Sequence, residues 1–178
     1  MNACKEDSCY VTLNYDQDMK ISQFESTINL RKNPDFQFRI SRDYVLPDFT
    51  TIRRGFLKPA NETGLKPKED SVEQNIRLNN ERFAVPELLF NPTDVGIDQC
   101  GIAETIVASV MQCDPEAQPW LFRNIILTGG NACLQNFRER VERDVRALAP
   151  DLYDVSDSKF VTCLIEFDIC LFSVEISY

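Results

Sequence analysis

A short apolar run that ends in a glycine pair constrains this sequence more than any other feature. Residues 124–128 read Asn-Ile-Ile-Leu-Thr, a pattern typical of a buried strand, and Gly129 and Gly130 follow at once. Glycine lacks a Cβ, so it tolerates positive φ and lets the backbone approach another group closely. Taken alone, the pattern predicts a sheet strand that leads into a tight turn, with a ligand-contacting turn as the alternative.

The composition is that of a globular unit without catalytic motifs. The 178 residues are 43% hydrophobic and 26% charged, which is enough for a sizeable core. The net charge of −9 argues against non-specific nucleic-acid binding by the chain as a whole. Because the sequence has no histidine, no G-x-S-x-G motif and no phosphate-binding loop motif, it offers no catalytic residues for a stand-alone enzyme.

The cysteines do not form a metal-binding pattern. None of the seven stands in a C-x-x-C pair, and histidine ligands are absent, so we predict no metal site. We interpret most of these cysteines as buried thiols. The first residues lack the apolar segment of a secretory signal, which predicts a reducing, intracellular compartment.

The first half of the chain contains β-type patterns. Residues 9–13 predict a strand that leads into a short helix over 16–20. Alternating apolar residues in 36–45, a turn at 46–49 and the run 50–56 predict a hairpin. A further strand is predicted over residues 74–78.

Residues 57–72 interrupt these patterns. They hold prolines, a glycine and mixed charges with little apolar content, so we interpret them as an exposed insertion. The region is locally basic, and a solvated loop is the favoured interpretation over a patch for phosphate or an acidic partner. Its basic residues are Arg53, Arg54, Lys58, Lys66 and Lys68.

Two helices are predicted in the second half. Residues 98–113 place apolar side chains at helical spacing with few charges, which predicts a helix covered on most sides. Residues 136–148 predict an amphipathic helix with a capping box at Asn136 and Glu139 and a stop at Pro150. Its core stripe is Phe137, Val141, Val145 and Leu148, and its polar face is Arg138, Glu139, Arg140, Glu142 and Arg143.

Several segments resemble the actin superfamily in order and spacing. They are Cys9-Tyr10-Val11, Gln17-Asp18-Met19, the Tyr-Val-Leu-Pro-Asp of 44–48, Glu81-Arg82-Phe83, Cys100-Gly101-Ile102, and the strand and glycine pair of 124–130. The resemblance implies an α/β fold of the ribonuclease-H-like actin type. Residues 1–155 would then form most of the large domain only, with the insertion at 57–72.

Residues 156–178 do not continue the family pattern. Neither its proline-rich stretch nor its Trp-x-Gly-Gly element follows, so we interpret this segment as a divergent hydrophobic tail, with a functional tail as the alternative. Glu166 and Asp168 keep its apolar runs below the length of a membrane span, and we expect no membrane partner. The runs of β-forming residues between 160 and 172 make it prone to aggregation if exposed.

The resemblance also implies a nucleotide-contacting set. The residues that the family would place around adenosine map onto Lys5, Glu6, Gly129, Gly130, Asn131, Cys133 and Leu134. Leu134 stands where an aromatic side chain usually packs against the base, so it would stack more weakly. Met1 falls midway through the family pattern, so the small domain and the aspartates for magnesium and γ-phosphate are expected to be missing. We therefore expect no cofactor, with ATP binding only in the intact family fold.

The resemblance points to one branch of the superfamily. Residues 43–52 and 77–92 are most similar to nuclear, non-filament members that serve SWR-type remodellers, which exchange a variant histone into nucleosomes. This implies a non-catalytic interaction module in the nucleus, with the cytoplasm as a second location. The implied partners are a zinc-finger HIT subunit and the remodeller ATPase, with histones and nucleosomes contacted indirectly. The alternatives are an ATP-binding or ATP-hydrolysing actin homologue and a filament-forming cytoskeletal relative, which the insertion disfavours.

Overall fold

A computed structural model describes residues 2–28, 38–64 and 73–153, and the backbone alone of 161–163. The chain divides into two compact units, Met1–Ile102 and Ala103–Tyr178. No helix in the described ranges combines the length and apolar character that crossing a bilayer requires. The predicted boundary at residue 155 lies outside the described residues, so the division into a partial domain and a tail stays a prediction.

Helices occupy both ends of unit 1, the segment Met1–Ile102. They are α1 (Asn2–Ser8), α2 (Tyr15–Thr27) and α3 (Glu81–Glu87), with single 3-10 turns at Ala60–Glu62 and Pro92–Val95. The helix α2 begins after Asn14 because the Asn14 side chain accepts a hydrogen bond from the N–H of Gln17 at 3.3 Å. The predicted helix is confirmed here and is longer than predicted.

The strand predicted over residues 9–13 is wrong. These residues connect α1 to α2; Tyr10 forms a single β-bridge, and none of them belongs to a strand of the sheet. Val11 is fully buried, and the N–H of Tyr10 donates to the carbonyl of Arg82 at 3.0 Å. The apolar run therefore packs as an irregular connection, because burial alone does not supply a neighbouring strand.

An antiparallel sheet forms the centre of unit 1. Its strands are β1 (Arg42–Val45), β2 (Phe56–Leu57) and β3 (Asn75–Leu78), in the order β2-β1-β3. Tyr44 pairs with Leu57 on one side and with Ile76 on the other. The predicted hairpin and the strand at 74–78 are confirmed, with shorter strands than predicted.

A buried carboxylate fixes the segment that enters the sheet. Glu25 of α2 is only 3% exposed, and it accepts hydrogen bonds from the N–H groups of Arg39, Ile40 and Ser41 at 2.6, 3.1 and 2.8 Å. These bonds satisfy a charge that would otherwise be costly to bury. The core beside them consists of Val11, Phe38, Ile40, Tyr44, Val45, Phe83 and Phe90.

Only the first part of the predicted insertion is described. Leu57 belongs to β2, Thr63 is buried, and Lys58 pairs with Glu73 at 2.9 Å between Nζ and Oε2. Residues 65–72, which include Lys66 and Lys68, lie outside the described residues. The exposed insertion therefore stays a prediction.

Gly101 occupies a position that excludes any side chain. A Cβ on this buried residue would lie 1.8 Å from the carbonyl oxygen of Phe90. The adjacent N–H of Ile102 donates to the carbonyl of Leu89 at 3.0 Å. The Cys-Gly-Ile segment therefore needs glycine for close backbone packing.

Unit 2, the segment Ala103–Tyr178, contains a short parallel strand pair. Its helices are α4 (Ile102–Met111, whose first residue closes unit 1), α5 (Gln118–Arg123) and α6 (Phe137–Leu148). The strand β4 (Ile126–Thr128) runs parallel to β5 (Val161–Cys163), with Leu127 opposite Thr162. Three residues of the predicted tail thus pair with the strand that precedes the glycine pair.

The helix α4 is confirmed, but its predicted coverage is wrong. Ala103 and Val110 are buried, whereas Ile106 and Val107 are half-buried and Met111 is 44% exposed. An apolar stripe wider than the packed face of a helix leaves part of its surface in solvent.

The core stripe of α6 is confirmed over three of its four residues. Phe137, Val141 and Val145 are at most 5% exposed. Leu148 is 47% exposed because it is the last helical residue, beyond the end of the packed face. The helix stops before Pro150, as predicted.

Two other predictions for α6 are wrong. Asn136 has φ 64° and its side chain makes no capping hydrogen bond, so the capping box does not form. Arg140, predicted on the polar face, is only 6% exposed and donates to Asp144.

The prediction that most cysteines are buried is also wrong for the described thiols. Cys4 and Cys9 are half-buried, and Cys100, Cys113 and Cys133 are exposed. The exposed ones lie in turns and loops at the surface of the described residues.

Candidate functional site

The glycine pair makes a sharp turn at the end of β4. Gly129 has φ 101° and ψ 167°, a conformation that residues with a Cβ rarely adopt. A 3-10 turn over Gly130–Cys133 follows, and the N–H of Ala132 donates to the carbonyl of Gly129 at 3.0 Å. The predicted strand-to-glycine turn is confirmed.

Buried side chains on both sides hold this turn in place. Leu127 of β4 is 8% exposed, and Leu134 and Phe137 after the turn are 8% and 5% exposed. The N–H of Phe137 donates to the carbonyl of Leu134 at 3.1 Å. The turn is therefore anchored in the core of unit 2 at both ends.

The outer face of the turn is open. A Cβ added to Gly129 or Gly130 would meet no atom within 4 Å. Both glycines, Asn131 and Cys133 are exposed, whereas Leu134 is buried. A ligand at this turn would thus contact the backbone and two small polar side chains, while Leu134 packs into the core of the unit.

Lys5 and Glu6 lie on α1 in unit 1, and both are exposed. Lys5 lines a groove of about 310 Å3 together with Cys9, Leu78, Arg82 and Val85. Its walls are mainly aliphatic and thiol groups, so the groove is suited to an apolar or aromatic moiety.

Arg82 ties α1 to the rest of unit 1. Its Nε donates to the carbonyl of Ser8 at 2.8 Å, and a second nitrogen donates to the carbonyl of Ile40. Its guanidinium also lies 5.1 Å from the ring centroid of Tyr10. These contacts place Lys5 and Glu6 on a fixed helix rather than on a free end.

The thiol beside the groove is not activated. Burial raises the pKa of Cys9, and the hydrogen bond from Ser8 and the nearby charges of Arg82 and Lys5 lower it by less. The thiol is therefore protonated at neutral pH, which makes it a poor nucleophile. In the described ranges, no cluster of three or more acidic or cysteine side chains could hold a metal ion.

The structure places the predicted adenosine contacts in two separate units. Lys5 and Glu6 belong to unit 1, and Gly129, Gly130, Asn131, Cys133 and Leu134 belong to unit 2. Within unit 2 these residues form one continuous turn. The assignment of the whole set to adenosine stays a prediction.

Two carboxylates that sequence reasoning missed organise the sheet of unit 1. Asp43 accepts hydrogen bonds from Arg77 at 2.8 and 3.2 Å and from the N–H of Gly64 at 2.7 Å. Burial acts to raise the pKa of Asp43, but these hydrogen bonds and the charges of Arg77 and Lys58 hold it below its usual value. The sequence gives little indication of this ion pair, since Asp43 and Arg77 stand 34 residues apart along the chain.

The second carboxylate that sequence reasoning missed is that of Asp48, in the loop between β1 and β2. Its carboxylate accepts hydrogen bonds from the N–H groups of Thr50, Thr51 and Ile52 at 2.9, 2.9 and 2.7 Å. The Pro-Asp pair is a recognisable turn signal, but it does not reveal that one carboxylate organises the whole loop.

The fold and the glycine turn agree with a comparison to known protein families. The model of the actin family matches residues 1–162, so the chain belongs to the actin family. Its fold is α/β and actin-like, and it covers part of the family domain.

Within the family, the chain is similar to proteins called actin-related protein 6. It is 41% identical over 157 residues to actin-related protein 6 of Drosophila melanogaster. The matched region covers 88% of this chain and 36% of that protein. It is 39% identical over 163 residues to actin-like protein C08B11.6 of Caenorhabditis elegans, covering 90% and 35%. For actin-related protein 6 of Arabidopsis thaliana the identity is 34% over 169 residues, covering 85% and 38%. The chain thus spans somewhat more than a third of the length of these relatives.

Proposed function

We propose that this chain is part of a non-catalytic actin-related subunit of an SWR-type nucleosome remodelling complex. In this role it contributes to variant histone exchange in the nucleus. Its partners are a zinc-finger HIT subunit and the remodeller ATPase, with histones contacted indirectly through the assembly.

One observation carries the proposal: the similarity to actin-related protein 6 extends across most of the chain. Relatives of that name from an insect and from plants are 34–41% identical over 85–88% of its length. The proposed role of the whole protein is therefore inferred from these relatives and not from an arrangement of catalytic side chains.

The surface of the described residues supports a role in protein contacts. Trp120 and Ile126 in unit 2 are 65% and 66% exposed, and Phe49 in unit 1 is 80% exposed. Aromatic side chains are enriched where proteins bind one another. The protonated thiol of Cys9 and the lack of histidine also favour assembly over chemistry.

Affinity purification tests this proposal. We expect the tagged full chain, expressed in cells of its source and recovered from nuclear extract, to bring down a zinc-finger HIT protein and a remodeller ATPase, identified by mass spectrometry. Tagged actin from the same cells is the matched control, because it reveals partners common to the family. Recovery of the same partners by both baits, or of filament proteins alone, would contradict the proposal.

A nucleotide-binding role is the second candidate, because the turn at Gly129 is exposed and has a backbone conformation that residues other than glycine rarely adopt. An exposed backbone of this kind can lie against a planar ligand. Phosphoryl transfer, however, depends on metal ions and charged groups around the γ-phosphate. We therefore expect adenosine-nucleotide affinity to be weak and ATP hydrolysis to be undetectable.

Calorimetry with ATP distinguishes the two candidates. Gly130→Val places a branched side chain on the open face of the turn, whereas Ala108→Val adds similar bulk to an exposed position of α4. Micromolar ATP binding that only Gly130→Val abolishes would establish the nucleotide site and favour the second candidate. Micromolar binding that neither variant changes would show that the site lies elsewhere.

A further inference from the structure

The loop between β1 and β2 displays an aromatic side chain in a strained backbone conformation. Phe49 has φ 62°, which is uncommon for a bulky residue, and its side chain is 80% exposed. Burial of a side chain in the core usually compensates for such backbone strain, but an exposed ring contributes little to the stability of the folded state. Strain of this kind is often found at binding sites.

Hydrogen bonds hold the loop around Phe49 in one shape. The N–H groups of Asp48 and Phe49 both donate to the carbonyl of Ile52, at 3.1 and 3.2 Å. The Asp48 carboxylate binds the next three N–H groups, and the hydroxyl of Thr51 also donates to it. An aromatic ring on a preorganised loop loses little conformational entropy when a partner binds it.

A cavity of about 640 Å3 lies beside this loop. Its lining includes the apolar residues Leu46, Pro47 and Ile52 and the acidic residues Asp48 and Glu73. Among the described residues that line it, none is basic, although Lys58 pairs with Glu73 at 2.9 Å. The cavity is therefore apolar and acidic together, and the whole chain carries a net charge of −9.

Asp48 keeps its negative charge under ordinary conditions. Hydrogen bonds from the Thr51 hydroxyl and from the N–H groups of Ile52 and Thr50 hold the pKa of this carboxyl well below its usual range. An anion next to an exposed aromatic ring suits a guanidinium or ammonium group, which can contact both. Two arginines, Arg53 and Arg54, follow Ile52 in the chain, but neither is among the described lining residues, and Arg54 pairs with Asp7 at 2.8 Å.

We propose that this loop and cavity bind a basic peptide segment of a partner protein, with Phe49 as the exposed anchor. An aliphatic side chain of the segment enters the cavity, and a neighbouring arginine or lysine lies against Phe49 and Asp48. This binding site depends on the loop, the cavity and their charges, and it is independent of the proposed remodeller role.

Fluorescence anisotropy with labelled short peptides tests the site on the full chain. The probe alternates leucine and arginine, and two controls replace either every arginine with glutamate or every leucine with serine. Phe49→Gly removes the ring and relieves the positive φ, so a loss of binding would not reflect unfolding. Phe24→Ala removes another exposed ring, from α2, as the matched control.

We expect the leucine–arginine peptide to bind, Phe49→Gly to weaken it about tenfold or more, and Glu73→Gln to weaken it less. Phe24→Ala should have no effect, and both control peptides should bind poorly. Equal binding of the serine control would show that charge alone attracts the peptide, which would overturn the proposal. It is equally overturned if Phe49→Gly binds normally, or if light scattering shows a dimer of the chain that Phe49→Gly dissociates.

Discussion

Nε of Arg140 lies 2.6 Å from Oδ2 of Asp144, one turn further along α6, and the Arg140 side chain is only 8% exposed. On a helix, positions three and four residues apart are neighbours, so Arg140 lies beside Phe137 and Asp144 rather than on the opposite face. The aliphatic stem of an arginine can pack at the edge of a core while its guanidinium finds a carboxylate. This pair closes the edge of the apolar stripe of α6.

Arg140→Ala should therefore destabilise the chain. Removal of the buried stem and of a charge-assisted hydrogen bond is expected to lower the free energy of unfolding by about 2 kcal/mol. Arg138→Ala, at an exposed position of the same helix, should change it by less than about 0.5 kcal/mol. Urea unfolding followed by circular dichroism measures both, and equal midpoints would show that Arg140 does not contribute to packing.

Substitutions in the core stripe should be more damaging. Phe137→Ala leaves a cavity and Val141→Asp buries a charge, so each should cost about 3 kcal/mol or more. Leu148→Ala, at the half-exposed end of the stripe, should cost clearly less. Thermal melts of the three variants check this order, and a melting temperature for Leu148→Ala as low as that of Phe137→Ala would contradict the register of α6.

The ion pair between Asp43 and Arg77 predicts a pH dependence of stability. Because the folded-state pKa of Asp43 is lowered, its stabilising contribution is complete above the unfolded value of about 3.9 and is lost as pH falls through the folded pKa. Asp43→Asn should thus be less stable than wild type near neutral pH, by about 2 kcal/mol.

Acid titration of the unfolding free energy checks the sign of this effect. The difference between wild type and Asp43→Asn should be constant above about pH 5 and shrink below about pH 4. Asp98→Asn, at an exposed position of the same unit, is the matched control. A difference that grows on acidification would mean that the carboxylate is destabilising in the fold.

Gly101 and Gly130 should respond in opposite ways to the same substitution. Gly101→Ala drives a Cβ into the Phe90 carbonyl, so the backbone must move, at a cost of about 2 kcal/mol or more. Gly130→Ala meets open space at ordinary φ and should be neutral or slightly stabilising. Differential scanning calorimetry compares the two, and tolerance of alanine at residue 101 would refute the close approach.

Sequence patterns predicted the elements whose cause is local. The strand that leads into Gly129, the hairpin around β1 and the stripe of α6 follow from periodicity and from glycine and proline positions, all visible within a few residues. The turn conformation at Gly129 belongs to this group, because only glycine adopts it easily.

Other features depend on partners distant in sequence and could not be predicted. The connection at 9–13 has strand-like composition, but its neighbour is Arg82 of α3 rather than a strand. The sequence around Glu25 is typical of an exposed polar helix. The N–H groups of residues 39–41, which bind its carboxylate, are distant from it along the chain. The αL conformation of Phe49 has a local cause, the Asp48 hydrogen bonds, but it opposes the usual preference of phenylalanine and so was not predicted.

Co-expression with the zinc-finger HIT subunit tests the central claim most directly. We expect the chain alone to form oligomers or aggregates at micromolar concentration, because exposed apolar side chains such as Trp120 and Leu152 promote association. With the partner, size-exclusion chromatography and light scattering should show one complex of equal stoichiometry. If the chain instead elutes as a clean monomer that melts cooperatively and ignores the partner, its role as an assembly subunit is contradicted.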